Sequence, residues 1–326
     1  MSTHRSPASP AAGSTSPSGP FGSPAPEGRS ASADAPSSTD ASSPALHAKI
    51  ASAEAGSASP DAGPFAAELT TALAAAEIAA GMIAARAGAD EVREKGRADL
   101  VTAVDEAVER AVLARIRADF PNDAMVAEES AAGRVESGRR WIVDPIDGTT
   151  NFVHGHPFVA VSIAFADADG PAAGVVRAPA LGETFHAVRG GGAFVNGRPM
   201  RVTEVDRPAR SLLATGFPFK AGKGSIDAYF RMLAEILAAT QDVRRAGSAA
   251  LDLAFVAAGR VEGFFETGLA PWDVAAGMLL VTEAGGRVGG WPGDATGPLS
   301  TGRVLASNGR IHGWLEEMTA PYAASL

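Results

Sequence analysis

The sequence feature that most constrains the fold is a change in the order of strand-like and helix-like segments near residue 200. Before it, short β-rich runs follow one another, including RRWIVD (139–144) and PFVAVSIAFAD (157–167). An Asn196-Gly197 pair then supplies the residue types that a two-residue hairpin turn prefers. This part of the chain predicts a meandering antiparallel sheet.

After that change, strands and helices alternate. SLLATGF (211–217) predicts a strand, 226–239 a helix, and PWDVAAGMLLVTEAG (271–285) a later helix. Such alternation is typical of an α/β arrangement with a parallel or mixed sheet. Two amphipathic helices, predicted over 65–88 and 102–117, precede the first sheet and are expected to pack on it.

The first 60 residues differ in composition from the remainder of the chain. Of them, 44 are Ala, Ser, Pro or Gly, and few are large and apolar. A segment that can bury so little surface is expected to be disordered. A start codon assigned upstream of the true one would give the same pattern. We therefore expect a disordered tail (1–60), an α+β half (61–200) and an α/β half (201–326).

The overall composition argues against several classes of protein. A net charge of -9 disfavours a general nucleic-acid-binding surface, which needs clustered Lys and Arg. The chain has no cysteine, which excludes disulfides and cysteine nucleophiles and fits a reducing cytoplasm. The longest apolar run, VAVSIAFA (159–166), is too short to span a membrane, and the start lacks the apolar segment of a signal peptide. We expect a cytoplasmic protein without membrane contact.

Two aspartates lie in WIVDPIDGTTNF, where a strongly apolar strand meets a turn. Asp144 is expected at the carboxyl end of the strand, and Pro145 fixes the bend that follows. Asp147-Gly148-Thr149 can begin a short helix whose unpaired N–H groups face the same side. The motif fits either a plain turn with Asp147 as a helix cap, or a carboxylate pair that holds a cation beside a phosphate.

Other acids also follow strands or begin helices. Asp105 comes three residues after Thr102 and is more simply explained as part of a helix cap. Glu128 ends the run AMVA and by itself indicates a solvated loop. Glu266 closes VEGFFE, and Asp273 begins the next helix, where the helix dipole already favours an acid. Because both halves end strands in acids, these side chains could meet across a cleft between the halves.

A cluster of such acids would need a partner of opposite charge. Carboxylates within a few ångströms repel one another, so some of them stay protonated unless a cation is present. Mg²⁺ prefers carboxylate and carbonyl oxygens and bridges them to phosphate. No cluster of His or Cys in the sequence competes for a softer metal.

Together these blocks resemble the inositol monophosphatase family, most closely its bacterial inositol-1-monophosphatase-like branch. The resemblance rests on WIVDPIDGTTNFVHGHPFVAVSIAF, the preceding DLVTAVD and EES, and the distant PWDVAAGMLLVTEAGG, and it covers 64–320. It implies a layered αβαβα sandwich of two halves. It also implies a phosphatase that hydrolyses phosphomonoesters with two to three Mg²⁺ ions, inhibition by lithium, and a homodimer.

The resemblance implies a metal site made of four carboxylates and one backbone carbonyl. The residues carried over are Glu128, Asp144, Asp147, Asp273 and Ile146, the last through its carbonyl. Glu128, Asp144 and Ile146 are implied for one ion. Asp144, Asp147 and Asp273 are implied for the second, and Glu128 with water for a weaker third.

The same resemblance implies roles in catalysis. Thr149 would orient an attacking water, supported by Asp105, with Glu128 as a partner in activating that water. The phosphate would bind the N–H groups of Gly148 and Thr149. Lys95 matches a family lysine beside an active-site lid. Water would then attack phosphorus directly, without a phosphoenzyme.

The alcohol side of the substrate is implied to meet a second set of residues. Gly247, Ser248 and Ala249 would line it, and Glu266 would accept a hydrogen bond from a hydroxyl group. Asp147 and Asp273 would face the substrate as well as the metal.

The identity of the substrate is left open by the sequence. GSAALDLAFVAAGRVEGFFE resembles the inositol-type pattern, so inositol monophosphate ranks first, other sugar-alcohol phosphates second and histidinol phosphate third. Family members also act on fructose 1,6-bisphosphate. Some bacterial relatives bind the transcription machinery, which leaves the alternative of a binding protein with residual phosphatase activity.

Overall fold

The computed structural model describes residues 63–86, 92–96, 99–130, 138–218 and 223–326. The tail predicted over 1–60 therefore lies outside the described residues. The strands of the described part form a two-stranded hairpin, a seven-stranded sheet and a five-stranded sheet. The hairpin consists of β1 (Val92–Gly96) and β2 (Asp99–Thr102), paired antiparallel.

The seven-stranded sheet follows chain order. Its strands are β3 (Ala124–Ala127), β4 (Arg140–Asp147), β5 (Ala160–Asp167), β6 (Gly170–Ala178), β7 (Glu183–Val188), β8 (Gly192–Val195) and β9 (Arg198–Pro199). β3 and β4 pair in parallel, and all later neighbours pair antiparallel. The sheet is the predicted meander with one parallel strand added at its edge.

Strand β4 differs from the prediction at its carboxyl end. It does not stop at Asp144 but continues through Pro145 to Asp147, and all of its residues are buried. The register against β5 shifts there, with Asp144 opposite Ser162 and Asp147 opposite Ala160. Three steps along β4 therefore match two along β5, which is a β-bulge. A bulge tolerates proline because the ladder is already interrupted at that point.

The five-stranded sheet is mixed. Its strands are β10 (Leu212–Thr215), β11 (Asp242–Arg244), β12 (Gly263–Glu266), β13 (Arg287–Gly289) and β14 (Val304–Ser307). They lie in the order β11-β10-β12-β14-β13, so the last strand in the sequence lies between β12 and β13. β10 is parallel to both of its neighbours, whereas β14 is antiparallel to both of its own.

Helices cover the sheets in three layers. They are α1 (Ala66–Ala85), α2 (Ala103–Asp119), α3 (Thr149–Val153), α4 (Lys223–Ala239), α5 (Ala249–Ala257), α6 (Pro271–Glu283), α7 (Pro298–Thr301) and α8 (His312–Thr319). α1 and α2 pack against each other and against the seven-stranded sheet, α5 and α6 lie between the two sheets, and α4 and α8 pack on the five-stranded sheet. The predicted αβαβα sandwich is confirmed.

The two helices between the sheets pack unusually closely. A Cβ atom on Gly277 of α6 would lie 2.6 Å from Cβ of Leu253 on α5. α6 also contacts β5 and β6 of the first sheet, so elements from after residue 200 form part of the core of the first sheet. All the described residues belong to one compact unit. The boundary expected at residue 200 stays a prediction.

Helix α1 corrects the expectation about apolar segments. Its 20 residues are long and apolar enough to cross a membrane by length and composition, and an 18-residue window of the helix has a mean hydropathy of 1.3. A search for apolar runs in the sequence did not find this helix because Glu68 and Glu77 interrupt its alanine-rich sequence. Half of that window is buried in the protein, where Leu69 and Ile83 pack under the sheet. This packing accounts for the apolar composition of α1, which is that of a core helix.

Candidate active site

The first pair of predicted metal ligands is brought together by the parallel pairing of β3 and β4. Ala127 at the end of β3 lies opposite Val143 of β4. The next residues along the two strands, Glu128 and Asp144, therefore emerge side by side. Glu128 lies in the turn after β3, where it is half-buried and donates its backbone N–H to the Val143 carbonyl at 3.2 Å.

Asp273 reaches the same place from the other half of the chain. The hydroxyl of Ser162, opposite Asp144 in the sheet, donates a hydrogen bond to the Trp272 carbonyl at 3.1 Å and so ties the start of α6 to β5. Asp273 Oδ2 accepts the N–H of Ala270 at 2.7 Å as a helix cap. The Asp273 carboxylate thus caps α6 and is also a predicted metal ligand.

Asp144 and Asp273 share a crowded acidic environment. Burial raises the pKa of Asp144 well above its usual value, and the nearby charges of Glu128 and Asp147 raise it further. Burial, followed by the charge of Asp147, raises the pKa of Asp273 to about 7, although a hydrogen bond from Asp144 opposes this. Acids in this arrangement favour either a shared proton or a cation.

Asp147 is held by the amino end of α5. Its Oδ2 accepts hydrogen bonds from Ser248 Oγ at 2.6 Å and from the N–H of Ala250 at 2.7 Å. Burial raises the pKa of Asp147 to about 6, while these hydrogen bonds lower it. Ser248 is also the N-cap of α5. The predicted substrate-side residue Ser248 therefore orients a predicted metal ligand.

Asp105 performs two structural tasks at once. Its Oδ2 accepts the N–H of Thr102 at 2.8 Å, which completes the predicted cap of α2. Its Oδ1 lies 3.1 Å from the hydroxyl of Thr149, which is also 3.2 Å from the Ile146 carbonyl. Burial raises the pKa of Asp105. The cap thus fixes the carboxylate that positions the predicted water-orienting residue.

The loop at Gly148 requires glycine, and it contacts residues 246–247 of the second half of the chain. Gly148 has φ of 97°, and a Cβ there would lie 3.0 Å from the Gly247 carbonyl. Asn151 of α3 donates its amide N–H groups to the carbonyls of Phe158 and Ala246 at 2.8 and 2.9 Å. Asn151 is a positioning residue absent from the sequence-based set. Its only sequence signal is its place just after DGTT.

A cavity of about 430 Å³ opens beside Asp147 and Asp273. All residues predicted for the alcohol side of the substrate line it: Gly247, Ser248, Ala249 and Glu266. Burial, followed by the charges of Asp273 and Asp147, raises the pKa of the Glu266 carboxyl to about 8, although the charge of Arg245 opposes this. Sequence reasoning missed other lining residues, among them Thr215, Gly216, Arg245 and Asp252.

One predicted residue cannot be placed with the others. Lys95 lies in β1, and its side chain is outside the described part of the structure. Its proposed place near a lid stays a prediction.

The donor set suits a hard divalent cation. It consists of carboxylates and the Ile146 carbonyl, which are the oxygen ligands that Mg²⁺ prefers. Neighbouring carboxylates raise the pKa of Asp144, and a bound divalent cation would offset their mutual repulsion. Within the described ranges, no group of three or more His, Cys, Asp or Glu side chains is placed so that it could already hold a metal ion.

Comparison with known proteins gives consistent results along the folded chain. The sequence profile of the inositol monophosphatase family matches residues 65–324. The chain is 43% identical over 232 residues to an inositol-1-monophosphatase of Synechocystis, covering 71% of this chain and 80% of that protein. It is 45% identical over 221 residues to the Nus factor SuhB of Escherichia coli K12, covering 67% of this chain and 81% of that one.

A solved structure agrees with both. The extragenic suppressor protein suhB of Bartonella henselae superposes with a TM-score of 0.71 at 38% identity, covering 77% of this chain and 98% of that one. Fold, ordered motifs and sequence similarity all lead to one assignment. This chain belongs to the inositol monophosphatase family.

Proposed function

We propose that this protein is a Mg²⁺-dependent phosphatase that hydrolyses inositol monophosphate to inositol and phosphate. The observation that carries the proposal is the convergence of Glu128, Asp144, Asp147 and Asp273 from both halves of the chain, with Asp147 and Asp273 lining one cavity. The naming of the Synechocystis relative as an inositol-1-monophosphatase supports the substrate.

The chain's own residues would bind the cation and prepare the water. Asp144, Asp147 and Asp273, with Glu128 and the Ile146 carbonyl, would hold two to three Mg²⁺ ions. When bound, Mg²⁺ neutralises phosphate charge and lowers the pKa of water. Asp105 holds the Thr149 hydroxyl in place at 3.1 Å, where it can orient a water for attack on phosphorus.

The remaining parts of the proposal concern the setting of the enzyme. We place it in the cytoplasm as a homodimer that lithium inhibits. Thr149 and Gly148 N–H groups would receive the phosphate, and Lys95 would act from the hairpin side. The family resemblance supports these points, and a chain without cysteine agrees with a reducing cytoplasm.

The direct test is release of phosphate by the purified protein. With Mg²⁺ and inositol 1-phosphate, wild type should release phosphate, and Li⁺ should suppress the release. Asp144→Asn should reduce kcat/KM by at least about 100-fold because it removes a shared ligand. Asp169→Asn makes the same chemical change at an exposed turn and should leave activity unchanged. Full activity in Asp144→Asn would contradict the proposed site.

A second candidate comes from a different class of function. The E. coli relative is named a Nus factor, which supports a binding role in transcription with residual catalysis. A substrate panel separates the two: inositol 1-phosphate, another sugar-alcohol phosphate, histidinol phosphate and fructose 1,6-bisphosphate. Hydrolysis of none of them would favour the binding role, whereas hydrolysis of only one of the last three would replace the proposed substrate.

A further inference from the structure

Asp252 is a buried acid that the proposed chemistry does not use. It lies in the first turns of α5, four residues after the N-cap Ser248, and its side chain is only 3% exposed. It nevertheless lines the same cavity as Glu266 and Asp147. Its neighbours on the helix, Leu251 and Leu253, are core residues. Asp252 is therefore a buried carboxyl group that lies between two core residues in sequence and lines the cavity.

The protein itself does not satisfy this carboxylate. Among the residues that the structure describes, the Asp252 side chain accepts no hydrogen bond; its backbone N–H alone is bonded, to the Ser248 carbonyl at 3.0 Å. The positive end of the α5 dipole eases the burial of a charge there. A dipole does not supply donors to the two oxygens, however, and at the cavity wall those donors come from water or from a bound ligand. Donors from a ligand in the cavity would meet that need.

Glu266 faces the cavity from the five-stranded sheet. The parallel pairing of β10 and β12 sets Thr215 opposite Phe265, so Gly216 and Glu266 follow side by side. A Cβ on Gly216 would lie 1.9 Å from Glu266 Oε1. The absence of a side chain at Gly216 lets the Glu266 carboxylate occupy that space.

One cation faces both acids. Arg245 follows β11 and lines the cavity. It lines the same cavity as Asp252 and Glu266, and its charge lowers the pKa of both. Among the described residues, the cavity wall away from the metal ligands includes two carboxyl groups and a planar guanidinium donor. A hydroxyl group of a ligand can donate to a carboxyl oxygen and accept from the guanidinium.

We infer that Asp252 is a specificity-determining residue that, with Glu266, accepts hydrogen bonds from two hydroxyl groups of the leaving alcohol. The substrate class is then a polyol monophosphate, such as a cyclitol phosphate, and not a phosphate of a simple alcohol or phenol. This inference rests on the proposed phosphatase function. It adds Asp252 to the substrate site and a preference for polyol monophosphates over phosphates of simple alcohols or phenols.

The test compares two substrates in each variant. Inositol 1-phosphate carries the hydroxyl groups, and p-nitrophenyl phosphate lacks them. Asp252→Asn should lower the ratio of kcat/KM for inositol 1-phosphate to that for p-nitrophenyl phosphate by about 10-fold or more, mainly through KM, since one charged hydrogen bond is lost. Asp169→Asn should leave the ratio as in wild type.

Each result decides the inference. An unchanged ratio in a folded Asp252→Asn protein overturns the inference. A decrease in kcat/KM that is confined to L-histidinol phosphate also overturns it, because the cavity wall would then recognise an ammonium group. Thermal unfolding checks that the variant folds, and Asp252→Ser serves as a second variant. If neither folds, Asp252 is structural and the inference is wrong. Wild type that hydrolyses no phosphomonoester contradicts the proposed function itself.

Discussion

At the scale of single residues, Gly216 decides where the Glu266 carboxylate can lie. The Tyr229 hydroxyl donates to the Gly216 carbonyl at 2.6 Å and holds this stretch of backbone. Because the backbone cannot move away freely, a side chain at Gly216 would have to displace Glu266. Even the methyl group of an alanine at position 216 would therefore change the position of Glu266 on the substrate side of the site.

We expect Gly216→Ala to lower kcat/KM for inositol 1-phosphate by about 10- to 100-fold, the range in which small misplacements of a binding group act. Gly313→Ala in α8 is the matched control, since a Cβ there meets nothing within 4 Å. Steady-state kinetics with thermal unfolding checks both. A folded Gly216→Ala protein with wild-type kinetics would contradict this account of Glu266.

His312 is a fully buried titratable group away from the cavity. Its Nδ1 lies 2.9 Å from Ser307 Oγ, and its Nε2 finds no hydrogen-bond partner within the described residues, although Glu316 lies 3.7 Å away. Burial, followed by the charge of Arg287, lowers the pKa of His312 to about 4, although Glu316 opposes this. The folded protein therefore holds this imidazole neutral.

The depressed pKa predicts a loss of stability in acid. Since the unfolded chain takes up the proton first, the contribution of His312 is complete above its ordinary pKa of 6.5 and is lost as pH falls towards about 4. Between about pH 7.5 and about pH 5, wild type should lose about 2 kcal/mol more unfolding free energy than His312→Asn. Urea unfolding at both pH values measures it, and equal losses would refute the prediction.

At the scale of elements, the close packing of α5 and α6 sets the geometry of the site. α5 carries Ser248 at its cap and Asp252, and α6 carries Asp273 in its first turn. Gly277 permits the two helices to approach, with the Leu253 side chain filling the space that a Cβ would need. Separation of these helices would therefore move ligands and cavity wall relative to one another.

Two glycine-to-alanine changes in helices should have opposite effects. Gly277→Ala should destabilise the protein by about 1–3 kcal/mol, the usual cost of overpacking a core. Gly81→Ala in α1 meets nothing within 4 Å and should stabilise it by up to about 1 kcal/mol through helix propensity. Urea unfolding of both variants tests this. Stabilisation by Gly277→Ala would show that α5 and α6 are not tightly packed.

The elements also show how far sequence reasoning reached. Local signals found most helices and strands, including the short helix after Asp147, because apolar periodicity and capping residues are local. The bulge at Pro145 was not predicted, since it depends on the register against β5. Asp252 and Gly216 were missed for a related reason. Their proximity to Glu266 comes from pairing between distant strands and helices, which no local pattern encodes.

At the scale of the whole molecule, the acid cluster joins both halves of the chain. Asp144 and Asp147 come from the first sheet, and Asp273 begins a helix that packs against both sheets. A cation held by these acids would bind the folded chain and not the unfolded one. Binding of this kind raises the unfolding temperature by mass action.

We therefore expect Mg²⁺ at about 100 times its Kd to raise Tm by about 5 °C over the protein in EDTA. The rise should disappear in Asp144→Asn and persist in Asp169→Asn. Differential scanning calorimetry gives this readout without any substrate. An equal Tm in Mg²⁺ and in EDTA would contradict the assignment of the acids as a cation site.

The position of β14 has a consequence for synthesis of the chain. This strand, Val304–Ser307, lies between β12 and β13, although both precede it in the sequence. While the chain is being translated, β13 has no partner in the sheet until β14 has been made. The five-stranded sheet behind Asp273 and Glu266 can be completed only when translation is nearly finished. A chain that stops before residue 304 would therefore carry every predicted active-site side chain but lack the complete five-stranded sheet that positions Glu266.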